Sequence, residues 1–398
     1  MNFKLKKRYF DGNIKSGFVA LYSSKSIIRI AGGLFGIFLP IFLYGIFENN
    51  FSKVAWYYIA SDFFYIILIP LGAIFLNRLG FRRALRISVF FGAFFYGTFY
   101  FASVKNALLI SVISLTFLVL WRITHWIPYH VDFAKFTDKK NRGREVGLLE
   151  ATTDVIGVIT PFAAGLIISR AGFGTLFLIA VAIYLASYIP LLTIPKTREK
   201  FSWKYFQTWK EFFSRQRRAN ILAYMADGAE NTVGAVVWPI FIFELLKGNY
   251  AEVGFISALI TGTTIILQIL MGKYVDEKFS KKKFIHFGST LYALGWIFKI
   301  FVITSFQIFV IDAYHKLMKI FLRVPFDALT YEIAADEGHF VDEYTVIHEM
   351  ALSFGKVAAM LLIIPISLST NLSSTFLIAA LASIVLNFLR AKKVAEAS

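Results

Sequence analysis

The sequence predicts an all-α membrane protein of twelve transmembrane helices, arranged as two pseudo-symmetric six-helix bundles. Three observations carry that expectation. Of 398 residues, 57% are hydrophobic and only 17% charged, with a mean hydropathy of +0.63, against about 45–50% and about 25% in soluble chains. Apolar runs of about 20 residues recur from end to end, each long enough to cross a roughly 30 Å hydrocarbon layer. Individual features also return at a spacing close to half the chain length. A soluble enzyme, a disordered chain and a secreted disulfide scaffold are excluded. With no cysteine, there is no disulfide, thiolate metal site or thiol nucleophile.

Helices are expected because lipid leaves no partner for a bare backbone, and no series of alternating ten-residue strands signals a barrel. In order, the spans are read at about 18–47, 54–76, 84–103, 107–130, 147–169, 172–194, 220–246, 251–271, 284–303, 307–325, 344–369 and 372–390. The first follows a basic start (Lys4, Lys6, Lys7, Arg8), but its apolar stretch is too long for a signal peptide and no small-residue cleavage site follows. It is read as a retained helix.

The 42 Lys and Arg outnumber the 25 Asp and Glu, a net charge of +17. The excess sits between apolar runs, which points to cytosolic loops and lipid headgroups rather than nucleic acid. The N-terminus, the 2–3 loop (Arg78, Arg82, Arg83, Arg86), the 4–5 loop (Lys135, Lys139, Lys140, Arg142, Arg144) and the segment from Lys196 to Arg218 are basic. So is the 8–9 loop, with Lys278 and Lys281 to Lys283. The intervening loops carry one or two cations each. Both termini are therefore expected on the cytosolic side of a multi-pass protein of the cell inner or plasma membrane. The acidic 10–11 loop is set aside, since Asp and Glu weigh little in topology.

The repeat is explicit in the residues. Phe-Leu-Pro40-Ile-Phe is answered by Val-Trp-Pro239-Ile-Phe and Asn50 by Asn249, both at an offset of 199. Gly36 and Gly234, Gly72 and Gly272, Gly157 and Gly355, and Pro128 and Pro325 follow at offsets between 197 and 200. Residues 1–194 would form one six-helix bundle and 220–398 the other, joined by a cytosolic basic linker, 195–219. The 2–3 loop reads Gly72-Ala-Ile-Phe-Leu-Asn77-Arg78-Leu-Gly80-Phe-Arg82-Arg83, and the 8–9 loop reads Gly272-Lys-Tyr-Val-Asp276 followed by three lysines. Six-plus-six organisation with these two degenerate loops resembles the major facilitator superfamily. The family signature has Asp where Asn77 stands, and the first copy carries one inserted residue. The resemblance implies that Gly72, Asn77, Arg78, Gly80, Arg82, Gly272 and Asp276 form a cytosolic gate; Asn77 can accept a hydrogen bond but carries no charge, so it cannot serve a charge-based latch. The alternative is an ordinary positive-inside loop. Span 4 (Leu118-Val-Leu-Trp-Arg122) and span 5 (Gly157-Val-Ile-Thr-Pro161-Phe-Ala-Ala-Gly165) are similar to motifs of drug/proton antiporters. The Gly and Pro of span 5 are equally read as a bend and a close packing contact.

Charges inside spans are costly and usually functional. Helical spacing groups them into stripes: Arg29 on span 1, Arg122 with His125 on span 4, Glu150 with Asp154 on span 5, Asp227 with Glu230 on span 7, and Asp312, Lys316, Lys319 and Arg323 on span 10. The substrate and proton pathway is expected to run along Arg29, Arg122, Asp154, Asp227, Glu230, Asp312 and Lys319. Arg29 and Asp227 share an offset of 198, so the first helices of the two bundles would carry opposite charges that pair across the two-fold axis. Arg122 and Lys319 would give each fourth helix a cation. Snorkelling of Arg29, a helix-start role for Glu150 and a helix end near Lys316 and Arg323 are the structural alternatives.

No Walker loop, HExxH or nucleophile elbow is present, and the six histidines lack metal-ligand spacing. Neither enzyme chemistry nor a metal or cofactor is expected. The sequence reading is a monomeric secondary active transporter, exchanging a small-molecule substrate for protons by alternating access, in contact with membrane lipids. Proton-coupled efflux leads. An anion/proton symporter, a lipid flippase and a non-transporting receptor on the same scaffold are the alternatives.

Overall fold

A computed structural model describes residues 15–137, 142–197, 200–271, 281–336 and 341–389. Every regular element among them is helical. The predicted first span is two helices, α1 (Ser16–Phe35) and α2 (Phe38–Ile46), broken at Gly36 and Ile37. They are followed by α3 (Phe51–Leu79), α4 (Phe81–Thr98) and α5 (Ala107–Phe136). Next comes α6 (Arg142–Ala186), interrupted at Gly172, whose φ of 76° no β-carbon-bearing residue adopts readily. Thr160, before the break, abuts Gly33, while Phe177, after it, stacks on Phe35 at 5.2 Å. The chain therefore folds back on itself at Gly172, so the fifth and sixth predicted spans are the two arms of α6.

A short turn, α7 (Tyr188–Leu191), leads into the segment expected as a basic linker, which contains α8 (Tyr205–Phe212). Beyond it lie α9 (Arg218–Thr232), a π turn at Val233–Val237 and α10 (Trp238–Leu245), which together make up the seventh predicted span. The remainder is α11 (Tyr250–Met271), α12 (Lys281–Lys299), α13 (Ser305–Asp336), α14 (Val341–Ser369) and α15 (Phe376–Val385). The tenth span was expected to end near 325. Instead α13 continues to Asp336 without a break, so Lys316 and Arg323 sit well inside a helix rather than at its end.

Among the described residues, seven helices are long and apolar enough to cross a membrane: α1, α3, α4, α5, α6, α11 and α14. The other predicted spans fall short of that measure for visible reasons. α9 is interrupted by the π turn and carries Asp227 and Glu230, α12 and α13 are rich in charge, and α15 is short.

The sequence repeat has local structural counterparts. Asn50 accepts a hydrogen bond from the Lys53 amide at 3.1 Å and so caps α3; Asn249 accepts one from the Glu252 amide, also at 3.1 Å, at the start of α11. Each follows a tight turn with positive φ, at Glu48 and Asn49 in one case and at Lys247 and Gly248 in the other. Pro128 and Pro325 both lie inside long helices.

The most extensive contacts between helices before and after the linker run along two seams, α6 on α11 and α3 on α14. The first is a backbone contact. A β-carbon on Gly165 would lie 2.6 Å from the Tyr250 carbonyl oxygen, and one on Gly254 would lie 2.4 Å from that of Pro161. The Gly-Pro-Gly pattern of span 5 therefore has a packing role, filled by Gly165; Gly157 meets only a Thr261 methyl at 3.5 Å. We expect Gly165→Val to lower stability by about 1–3 kcal/mol through overpacking, seen as an earlier thermal unfolding midpoint in detergent. Gly157→Ala should leave the midpoint in place.

Candidate functional site

Buried charges gather in three places. The first joins α3, α5 and α14. Arg122, 9% exposed, donates to Asp62 at 2.7 Å and to the Ser353 hydroxyl at 3.0 Å. Its guanidinium lies over the Tyr65 ring at 3.6 Å, and the Tyr65 hydroxyl donates to Glu349 at 3.1 Å. α5 places Arg122 opposite an α3 stripe in which Asp62 and Tyr65 are one turn apart. α14 presents Glu349 and Ser353 on one face at i, i+4 spacing. The network thus crosses from helices before the linker to one after it.

The second cluster lies on α9, α12 and α13. Asp227 accepts from Arg323, Glu230 accepts from the Tyr292 hydroxyl, and Lys319 stands 3.9 Å from Glu230. Arg323 also reaches Asp327 at 3.8 Å. The expected partnership of Asp227 with Arg29 is therefore replaced. The uninterrupted α13 carries Arg323 to Asp227, whereas Arg29 is exposed on α1 and enters no ion pair among the described residues.

The third cluster encloses Asp312. Lys299, 2% exposed, pairs with it at 2.7 Å and lies between the rings of Trp238 and Trp296 at 4.1 and 4.3 Å. His315 sits 3.9 Å from the same carboxylate and stacks on Tyr292 at 4.2 Å, connecting this cluster to Glu230. Nearby, Lys316 donates to Thr261 at 3.0 Å, and half-buried Asp154 of α6 lies within the reach of its charge. Lys25 of α1 is buried over Trp126 and Tyr129 at 4.1 and 4.3 Å, with no carboxylate within ion-pair distance among the described residues.

The structure therefore links Asp227, Glu230 and Lys319 in one network, sets Arg122 and Asp312 in two others, and leaves Arg29 and Asp154 without ion pairs among the described residues. Sequence reasoning missed Asp62, Glu349, Lys25 and Lys299. Asp62 was discoverable by the rule applied elsewhere, since it is the lone carboxylate of an otherwise apolar span. Lys299 reads as a helix-end cation until its tryptophan walls are seen.

The ends of the molecule are fastened by other residues. At the linker end, the Asn77 amide group donates to the Phe201 carbonyl at 2.7 Å and accepts from the Phe201 amide at 2.8 Å. The next residue, Ser202, donates its amide and hydroxyl to Glu343 at the start of α14, at 2.6 and 2.5 Å. Linker residues 201–202 thus tie α3 to α14. Arg78 is exposed, and neither it nor Arg82 enters an ion pair among the described residues. Gly80, at φ 78°, separates α3 from α4, and Gly72 packs against Ile123. Gly272 and Asp276 lie outside the described residues. At the opposite end, Tyr44 of α2 donates to Glu244 of α10 at 2.5 Å. An apolar groove of about 570 Å3 between α4, α5 and α6, lined by Phe90, Phe94, Phe101 and Leu185 among others, holds no charged side chain.

Helices of this order, paired through buried charges, invite comparison with known proteins. The sequence profile of the Major Facilitator Superfamily matches residues 21–226, just over half of the chain. The chain belongs to that superfamily. Membership makes it a multi-pass membrane protein of a secondary-transporter family. It is similar, at 22% identity over 377 residues, to the uncharacterized protein YqgE of Bacillus subtilis (strain 168), with 90% of this chain and 84% of the relative covered. Its fold is similar to that of a POT family transporter solved in complex with 5-aminolevulinic acid. The TM-score is 0.67 at 12% identity, covering 94% of this chain and 95% of the other.

Removing one member of the Asp62–Arg122 pair should be far worse than removing both. Breaking a buried pair strands a charge at a cost of about 3–5 kcal/mol. We expect Asp62→Ala alone to destabilise the protein strongly and Asp62→Ala with Arg122→Leu to recover part of the loss in thermal unfolding. At the linker end, Asn77→Ala removes both bonds to Phe201 and should widen spin-label distances between α3 and α14, whereas Arg78→Ala should not.

Proposed function

We propose that the chain is a proton-coupled secondary transporter that exports a small molecule by alternating access. Residues 1–194 and 220–398 rock as two bodies about a central site, joined by 195–219, with both termini cytosolic. The observation that carries the reading is the state of Asp227 and Glu230. Two carboxylates one turn apart are buried, and each is held by a cation or phenol from another helix of the same group. A proton arriving on Asp227 removes its attraction to Arg323, and attraction between unit charges at such contact is worth a few kcal/mol at intermediate dielectric. Loading and helix arrangement are thereby coupled. A solved protein of the same fold holds 5-aminolevulinic acid, which supports a small-molecule cargo.

In the leading form the cargo is a cation or neutral amphiphile that competes with the proton for Asp227 and Glu230, giving antiport. The resemblance of spans 4 and 5 to drug/proton antiporters supports it. A second reading, symport of an anion with protons, is favoured by Lys25 and Arg29, which lie one turn apart on α1 and form no ion pair among the described residues. Such cations offer an anionic group a partner that the protein itself does not supply.

The two forms differ in sign, because proton and ligand affinities are reciprocally linked. For a cargo identified by thermal-shift screening of metabolites and drugs, calorimetric affinity should weaken as pH falls in the antiport form and tighten in the symport form. Asp227→Asn and Glu230→Gln should each flatten the dependence while the protein stays folded. A pH-independent affinity in the wild type would sink proton coupling through these carboxylates.

A further inference from the structure

The linker helix α8 carries a run of aromatic side chains that passes from buried to exposed. Trp209 and Phe212 turn inward onto Phe354 of α14, at ring-centroid distances of 6.2 and 5.2 Å, and the helix also touches α3. It therefore lies across the seam between α3 and α14. Next to them Phe206 and Phe213, the latter stacked on Trp209 at 6.1 Å, are 82% and 71% exposed, among the most exposed large apolar side chains of the described residues. Around them Lys204, Lys210, Arg215 and Arg218 are all exposed. Aromatic side chains standing outward among cations are a poor face for water and a poor face for hydrocarbon. They suit the headgroup layer, where rings enter the acyl boundary and cations meet phosphates.

We infer that α8 docks on anionic lipid headgroups, and that this docking steadies the tie between α3 and α14. The second part follows from adjacency: Phe201 and Ser202, which hold Asn77 and Glu343, precede Tyr205 of α8 by only a few residues. Headgroup binding would fix α8 against the seam and keep its leading strand in place. Each Lys or Arg near an anionic surface favours partitioning by roughly fivefold, and the effect is screened by salt. The inference does not depend on transport or on orientation, because both faces of a nanodisc meet solvent.

The test uses full-length protein with a single spin label at Gln207→Cys, clean because the chain has no native cysteine. Nanodiscs of phosphatidylcholine alone are compared with nanodiscs containing one-third phosphatidylglycerol. The expected result is a severalfold loss of collision with an aqueous nickel reagent and a gain in collision with oxygen in the anionic discs, reversed by high salt. Replacing Lys204, Lys210, Arg215 and Arg218 together by Gln should abolish the lipid difference. Phe206→Ser with Phe213→Ser should abolish the oxygen gain and leave thermal stability unchanged. A second label pair, Arg83→Cys with His286→Cys, should give a narrower distance distribution in anionic discs. Equal accessibility in both lipids would overturn the docking and leave the face to a soluble partner. A lipid effect that survives the fourfold variant would overturn the assignment to α8. Protection of Gln207 with an unchanged distance distribution would overturn the link to the seam.

Discussion

A guanidinium in the interior of a membrane protein must find its counter-charge on another helix, and Arg122 finds it on α3 while also holding Ser353 on α14. Much of the interior arrangement follows from that requirement. Tyr65 is drawn under the guanidinium, Glu349 is drawn to Tyr65, and α14 is thereby fixed against α3 at one depth. Apolar packing cannot specify such a register in lipid, where tails are as hydrophobic as leucine. A guanidinium that donates to two helices at once can.

The same logic repeats after the linker with different chemistry. Arg323 neutralises Asp227, and Lys299 neutralises Asp312 inside a tryptophan box. These contacts connect α9, α12 and α13 to one another but do not reach across the linker. Attachment between the two sets of helices instead rests on the Arg122 network, the glycine contact of α6 with α11, and two polar ties at the ends. The ties are Asn77 with Phe201 and Ser202 with Glu343 at one end, and Tyr44 with Glu244 at the other. With both ends fastened at once, opening either one exchanges a few protein hydrogen bonds for bonds to water, a small net difference.

Much of the fold was legible because the signals were long and redundant. Twenty-residue apolar runs and a repeat marked by proline, glycine and asparagine survive errors of several residues. The site was legible only as a set of charges. Periodicity puts Asp227 and Glu230 on one stripe, but it cannot say which helix will face them, so Arg29 was matched to Asp227 by repeat arithmetic where Arg323 is the neighbour. α8 escaped notice because a basic, eight-residue amphipathic turn looks like a loop when charge is counted without spacing. Lys299 and Lys25 escaped because the aromatic rings that shelter them come from other helices.

The π turn at Val233–Val237 falls where the spacing between matching residues changes. The offset between matching residues is 198 for Arg29 with Asp227 and for Gly36 with Gly234, then 199 for Pro40 with Pro239 and for Asn50 with Asn249. The later segment is therefore one residue longer than its counterpart between positions 234 and 239, in the stretch where the helix widens to an i→i+5 turn. A π turn is how a helix absorbs a single inserted residue without re-phasing what lies on either side. The extra residue sets this turn apart from its counterpart in the sequence repeat, where the chain instead breaks at Gly36 and Ile37.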